Sequence, residues 1–367
     1  GYDMLNVIVR VDASTVIGSG HLMRCLTLAK RLRRMGHSVT FVMRAHQGSM
    51  QSVVEQQGFS YRMMARPSSY HGKEYESWLG VSQKEDAVDT IAVMGKQVNL
   101  LIVDHYALDH EWEEFLRPHV NSILVIDDLA NRPHLCDFLL DVNLDAEKGD
   151  KYTVLVPRGC RTFLGINYLL LRQEFYDVTL GQRHDTGTEH DCMRVFVCFG
   201  GSDPTNETMR TIRALSHYQQ SKLDVYVVIG ASNRHRRELE DFCRSLHWHV
   251  YCQIDYVALL MAKSDCAIGA GGTMTWERCF VGLPSLVVAV AENQREDAVL
   301  YDQRGIISYA GFWRDLDDET LNEKIHSFLD DKELQARIRE NGSEIFTETH
   351  TEEMLEEVTM RAAAWKI

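Results

Sequence analysis

The chain has 367 residues, 45% hydrophobic and 25% charged, with 39 Lys and Arg against 53 Asp and Glu and a net charge of −14. That balance excludes a disordered or collagen-like chain and leaves length for about two buried cores. With no basic block, no nucleic-acid partner is expected, and any anionic ligand has to be held by local geometry against an unfavourable overall field.

Val7 to Val11 is a short β-branched run, punctuated by Gly18-Ser19-Gly20. The helix that follows carries Leu22, Leu26, Ala29 and Leu32 on one face, with Gly36 as its C-terminal stop. Ser38 to Met43 reads as the second strand. Leu100 to Val103, Ile123 to Ile126 and Phe138 to Val142 have the shape of buried parallel strands, with a helix expected over Lys84 to Gln97. Gln182 to Asp191 is polar and aperiodic and reads as a linker.

A second series then begins. Arg194 to Cys198, Leu223 to Ile229, Trp248 to Cys252, Cys266 to Gly269 and Ser285 to Val290 read as strands with helices between them, and Thr351 to Trp365 as a final helix. The alternation predicts an α/β protein of two Rossmann-like domains facing a cleft. Residues 4–180 form the first, 192–345 the second, and 346–367 a C-terminal helix expected on the first. The nine cysteines are scattered without a Cys-x-x-Cys pair and several lie in apolar runs, which suits free thiols in a reducing cytoplasm. No run of about 18 apolar residues marks a membrane span, so no membrane partner is expected. Leu5 to Ser14 reads as a strand rather than a signal peptide.

Open α/β sheets bind ligands at the carboxyl ends of their strands, and the informative residues lie there. After the first strand, Gly18-Ser19-Gly20 leads into His21 and Arg24. It is not a dinucleotide fingerprint: the third glycine would fall on Met23, and no ribose-binding acid stands near Arg44. No cofactor is expected. His21 has two readings. One is an imidazole bonded to a neighbouring backbone. The other is a general base, kept uncharged by the positive end of its helix.

The corresponding turn of the second domain is Phe199-Gly200-Gly201-Ser202-Asp203-Pro204-Thr205-Asn206. It reads either as a helix beginning at Pro204 and capped by Ser202 or Asp203, or as amides of Gly201 with the Asn206 side chain presented to a nucleotide. Ala270-Gly271-Gly272-Thr273-Met274-Thr275-Trp276-Glu277 is the most specific station. Two glycines bare amides before a helix, a seat for a pyrophosphate, and the Glu277 carboxylate suits two ribose hydroxyls. Its plainer reading is a favourable charge on the helix dipole. Asn293 and Gln294, after the strand ending at Val290, suit sugar hydroxyls or acetamido groups, or simply start a polar helix. Asp104-His105-Tyr106 and Asp127-Asp128 end two first-domain strands. No metal-ligand spacing and no Gly-x-Ser-x-Gly elbow occurs, so neither a metal site nor a Ser nucleophile is expected.

Six motifs in order carry a resemblance: Ile17 to Leu26, Asp104-His105-Tyr106, Leu164-Gly165 with Tyr168 to Phe175, Phe199 to Asp203, Ala270-Gly271-Gly272 with Glu277, and Glu292-Asn293-Gln294. Over about residues 5–310 the chain resembles the UDP-sugar hydrolases of pseudaminic acid biosynthesis. The resemblance implies the two-domain GT-B fold related to the glycosyltransferase MurG. It also implies metal-independent, inverting hydrolysis of UDP-2,4-diacetamido-2,4,6-trideoxy-β-L-altropyranose at the anomeric carbon, releasing UDP. His21 matches the catalytic histidine, Tyr106 and Asn293 the sugar site, and Asn206 and Glu277 the nucleotide side. Gly20, Arg24, Gly201, Gly271, Gly272, Thr273, Met274 and Gln294 complete the expected substrate contacts. A GT-B glycosyltransferase, a UDP-sugar 2-epimerase and a non-catalytic nucleotide-sugar binding protein remain open.

Overall fold

The computed structural model describes residues 4–178, 192–346 and 349–365. The polar stretch Gln182 to Asp191 lies outside the described residues. By contacts the chain divides into two units, 1–170 with 348–367, and 171–347. The expected boundary at residue 180 differs from this division: Arg172 and Glu174 are bonded to Glu277 and Ala258 of the second unit.

The first unit is a seven-stranded parallel sheet of β1 (Asn6–Val11), β2 (Ser38–Arg44), β3 (Ser60–Met64), β4 (Val98–Asp104), β5 (Val120–Ile126), β6 (Phe138–Asp141) and β7 (Arg161–Leu164), ordered β3-β2-β1-β4-β5-β6-β7. The central strands alternate between two apolar layers, as a period of two requires. Val7, Val9 and Val11 enter one layer with Leu22, Leu26, Ala29 and Leu32 of the helix Gly20–Arg34. Ile8, Leu101 and Val103 enter the other with Leu79, Ala87 and Trp112. The helix expected to reach Gln97 spans Gln83–Met94 and stops there because Gly95 turns with φ of 80°. Ser82 caps its start through Glu85 N–H at 3.0 Å.

The helix Thr351–Ala363 buries Met354, Leu355, Val358 and Ala362 in the same layer as β1. The Asn121 amide, at the start of β5, donates to the carbonyls of Ala362 and Ala364, both at 2.8 Å.

The second unit is a six-stranded parallel sheet of β8 (Cys192–Cys198), β9 (Lys222–Ile229), β10 (His249–Cys252), β11 (Cys266–Gly269), β12 (Ser285–Ala289) and β13 (Ser308–Phe312), ordered β10-β9-β8-β11-β12-β13. Both sheets reverse direction of growth at one place, between β1 and β4 and between β8 and β11. These are the topological switch points at which ligands of such sheets bind.

Three strands were not legible in the sequence: β3, β7 and β13. Each is an edge strand. Only part of each is buried, and β13 contains Gly311 and pairs with β12 across a register shift. They lack the continuous apolar run that marks a central strand. The helix expected to begin at Pro204 begins at Glu207. Asp203 and Asn206 take left-handed backbone, with φ of 42° and 56°, and form a turn that delays it.

Candidate active site

Parallel register brings Val11 beside Asp104, so the helix following β1 opens directly over the end of β4. His21 and Arg24 are three residues apart on the first turn of that helix and share one face. Nδ1 of His21 lies 2.7 Å from Oδ1 of Asp104. Arg24 donates to both oxygens of the same carboxylate, Nε to Oδ2 at 2.5 Å and Nη2 to Oδ1 at 2.7 Å. It also reaches Asp128, with Nη1 3.1 Å from Oδ1.

The Asp104 side chain is fully buried. Burial raises its pKa, but Arg24 and then His21 outweigh it and hold the carboxyl well below the usual carboxylate range. An ionised Asp104 only accepts, so Nδ1 of His21 carries a proton, and in the neutral imidazole the lone pair is then on Nε2. The imidazole partner is therefore a carboxylate 83 residues away, not the neighbouring backbone.

Tyr106, two residues past Asp104, donates its hydroxyl to Asp128 at 2.5 Å. Burial and the Asp128 charge push its phenol well above the ordinary value, so it stays protonated. Its ring meets His21 edge-on at 4.5 Å. Tyr75 and Trp78, in the short 3-10 helix Glu74–Trp78, close on the same rings: Trp78 stacks on Tyr106 at 5.6 Å and lies 6.1 Å from His21. The His21 side chain is left 11% exposed. No sequence signal singled out Tyr75 or Trp78.

Behind the pair, Asp12 binds Arg10 at 2.6 Å and accepts from Nε2 of His105 at 2.9 Å and of His46 at 3.1 Å. Nδ1 of His105 accepts from Ala107 N–H at 3.1 Å, so its Nε2 carries the proton. Pinning His105 fixes its neighbours Asp104 and Tyr106. On the far side, Asp141 takes Tyr152 at 2.7 Å and the Asn143 amide at 2.8 Å, and Asn143 also donates to Asp128. Burial raises the Asp141 carboxyl to about 6. Gly20 begins the helix, and a Cβ there would meet open space.

The second unit holds the remaining expected residues. Gly200 and Gly201 follow β8, and Gly201 lies so close to Gly230 that a Cβ on Gly230 would sit 2.5 Å from the Gly201 carbonyl. Asp203 is a helix cap: its carboxylate accepts from the N–H groups of Glu207 and Thr208, both at 2.9 Å. Asn206 is the residue before that helix, and its Oδ1 is buried with no partner among the described residues.

After β11, Gly271 and Gly272 lead into Thr273 and the helix Met274–Phe280. Gly272 takes a φ of 85°, which glycine adopts without penalty. Gln294 folds back beside Gly271 and accepts from Val290 N–H at 3.0 Å, whereas Asn293 is exposed on the first turn of the helix Glu292–Gln303. Glu277 is 4% exposed and is gripped by Arg172, with Nε and Nη2 donating to its two oxygens at 2.8 and 3.0 Å. Arg172 had no assigned role in the sequence, although it stands in the Tyr168-to-Phe175 motif. Among the described residues no group of three or more His, Cys, Asp or Glu is placed to hold a metal ion, and no helix is long and apolar enough to cross a membrane.

Two α/β units with these switch-point sites define the chain as a protein of the GT-B glycosyltransferase fold. It superposes on MurG of Acinetobacter baumannii with a TM-score of 0.66 over 98% of this chain and 100% of that one, at 10% identity. Residues 194–353 match the glycosyltransferase family 28 C-terminal domain. The resemblance read from the six motifs is borne out. The chain is 26% identical over 303 residues to the UDP-2,4-diacetamido-2,4,6-trideoxy-beta-L-altropyranose hydrolase of Campylobacter jejuni, covering 82% of this chain and 97% of that one. It is also 24% identical over 256 residues to the spore coat polysaccharide biosynthesis protein SpsG of Bacillus subtilis, covering 68% and 73%.

Proposed function

We propose that the chain is an enzyme acting on UDP-sugars, and that its reaction is metal-independent hydrolysis of UDP-2,4-diacetamido-2,4,6-trideoxy-β-L-altropyranose at the anomeric carbon. The observation that supports this reading is the His21–Asp104 contact of 2.7 Å: with Nδ1 bonded to the carboxylate, Nε2 is the ring nitrogen we assign as general base. Nε2 takes a proton from water, and the water oxygen attacks C1 from the face opposite UDP. The C1–O bond breaks with its electron pair leaving on UDP, and the anomeric configuration inverts. Asp104 stabilises the imidazolium that forms. Tyr106 stands against the base to orient the sugar. In the second unit the Gly271-Gly272 turn seats the diphosphate, Glu277 receives the ribose hydroxyls, and Asn206 offers its buried acceptor to the nucleotide. Asn293 and Gln294 complete the sugar contacts, and the free thiols suit a cytoplasmic setting.

The test is NMR of that UDP-sugar with the protein in ¹⁸O-labelled water. Label in the free sugar at C1 with inverted configuration is the expected result. Label in UDP places the cleavage at phosphorus and ends this mechanism. A second reading, transfer to an acceptor hydroxyl, is favoured by the match of residues 194–353 to a transferase domain. UDP release in the absence of acceptor separates the two. A sugar recovered still linked to UDP but epimerised at C2 points to a 2-epimerase instead.

A further inference from the structure

At the switch point of the second sheet, one cation stands apart from the ion pairs around it. Arg278 is 1% exposed. Its Nη2 donates to the Ala270 carbonyl at 2.8 Å and lies 3.4 Å from Oγ1 of Thr275. A Cβ on Gly269 would sit 2.8 Å from Nη1, so the guanidinium lies against the end of β11, and the same Cβ would sit 2.3 Å from the Cys198 carbonyl at the end of the neighbouring β8. Its Nε is buried without a partner, and no carboxylate lies within salt-bridge distance among the described residues. The neighbouring Glu277 carboxylate is engaged by Arg172, and Glu174, which also faces Arg172, accepts from Ala258 N–H at 2.9 Å.

A buried cation held only by neutral acceptors is costly. A plain locking role for the Ala270 carbonyl would need one neutral donor, not a guanidinium. We propose that Arg278 is a positioning residue that places a fixed positive charge beneath the Ala270-Gly271-Gly272 turn to hold the phosphates of a nucleoside diphosphate. This rests on the nucleotide reading of that turn. The charge does its work through the loop, without touching the ligand, in a protein whose net charge of −14 would otherwise repel it. Burial lowers the Arg278 pKa, and the attraction of the neighbouring Glu277 carboxylate does not make up for it.

The experiment is calorimetric titration of uridine, UMP and UDP into the whole protein, its Arg278→Gln variant and its Arg278→Lys variant, in EDTA. The wild type should bind more tightly as phosphates are added. Arg278→Gln should weaken UDP by roughly 10-fold or more, UMP by less, and uridine by under about 2-fold, because a buried charge acts on ligand charge. Arg278→Lys should keep most of the UDP-over-uridine preference. Equal losses for uridine and UDP, or a Lys variant that loses the preference, would mean that the fork of hydrogen bonds matters and the charge does not. If Arg278→Gln does not fold, the Lys variant alone decides. A wild type that binds none of the three overturns the nucleotide reading itself. A wild type that binds UDP while Arg278→Gln binds it equally overturns only this inference.

Discussion

Oδ1 of Asp104 accepts from Nδ1 of His21 at 2.7 Å while the same carboxylate is clamped by Arg24. The carboxylate thus does two things: it fixes Nδ1 as a protonated nitrogen of the ring, and it ties the first turn of the helix Gly20–Arg34 to the end of β4.

Removing the base should stop chemistry without disturbing binding. His21→Asn is expected to lower kcat by roughly 10²-fold or more, with UDP affinity and thermal stability close to wild type. Near-normal turnover in that variant would take His21 out of the mechanism.

Asp104→Asn should cost both activity and stability. An amide can face Nδ1 with either group, so the tautomer is no longer selected, and kcat is expected to fall at least about 10²-fold. Arg24 loses a buried partner, at a cost of about 3 kcal/mol. The folded pKa of Asp104 lies below its unfolded value, so its stabilisation is present at neutral pH and is lost as pH falls below about 4. Unfolding midpoints across that acid range should therefore decline less in the variant than in the wild type.

Asp141 has the opposite sign. Its folded pKa is raised to about 6, so stability is fully present below the unfolded value and is lost as pH rises through 6. Asp141→Asn should remove that loss, on the order of 3 kcal/mol between pH 4 and 7. Urea titrations of both proteins at pH 4.5 and 7.5 test it; a constant difference between them at the two values would contradict the assignment.

Arg172→Ala strands a buried Glu277. Because Arg172 is itself 35% exposed, the expected destabilisation is modest, about 1–3 kcal/mol. The informative readout is uridine affinity, which should weaken as the carboxylate loses its orientation. Unchanged uridine binding would detach Glu277 from the ribose.

Turnover should withstand EDTA, since the proposed mechanism assigns the diphosphate charge to amides and a buried cation. Loss on chelation with recovery on adding magnesium would assign that charge to a metal instead.

Central strands and amphipathic helices were legible because burial on both faces, or on one helical stripe, writes a period into the residues themselves. Leu22, Leu26, Ala29 and Leu32 announce their helix and are all buried. His21 stood out as a candidate for a related reason, since a glycine turn between strand and helix is where a ligand can approach, but its partner Asp104 carries no such local mark. Asp203 shows the limit. Ser202 and Asp203 were equal candidates to cap a helix from Pro204, and only the bonds to Glu207 and Thr208 identify Asp203 as the cap, for a later start.

The order of residues by itself determined that two α/β units form and that their glycine-rich turns sit at strand ends, because these are consequences of local periodicity and backbone freedom. Which side chains meet was decided only by the tertiary structure. His21 finds Asp104 83 residues away and Arg172 finds Glu277 105 residues away. Such pairings depend on parallel register and crossover connections, which align strand ends in space and leave no periodic trace in the chain.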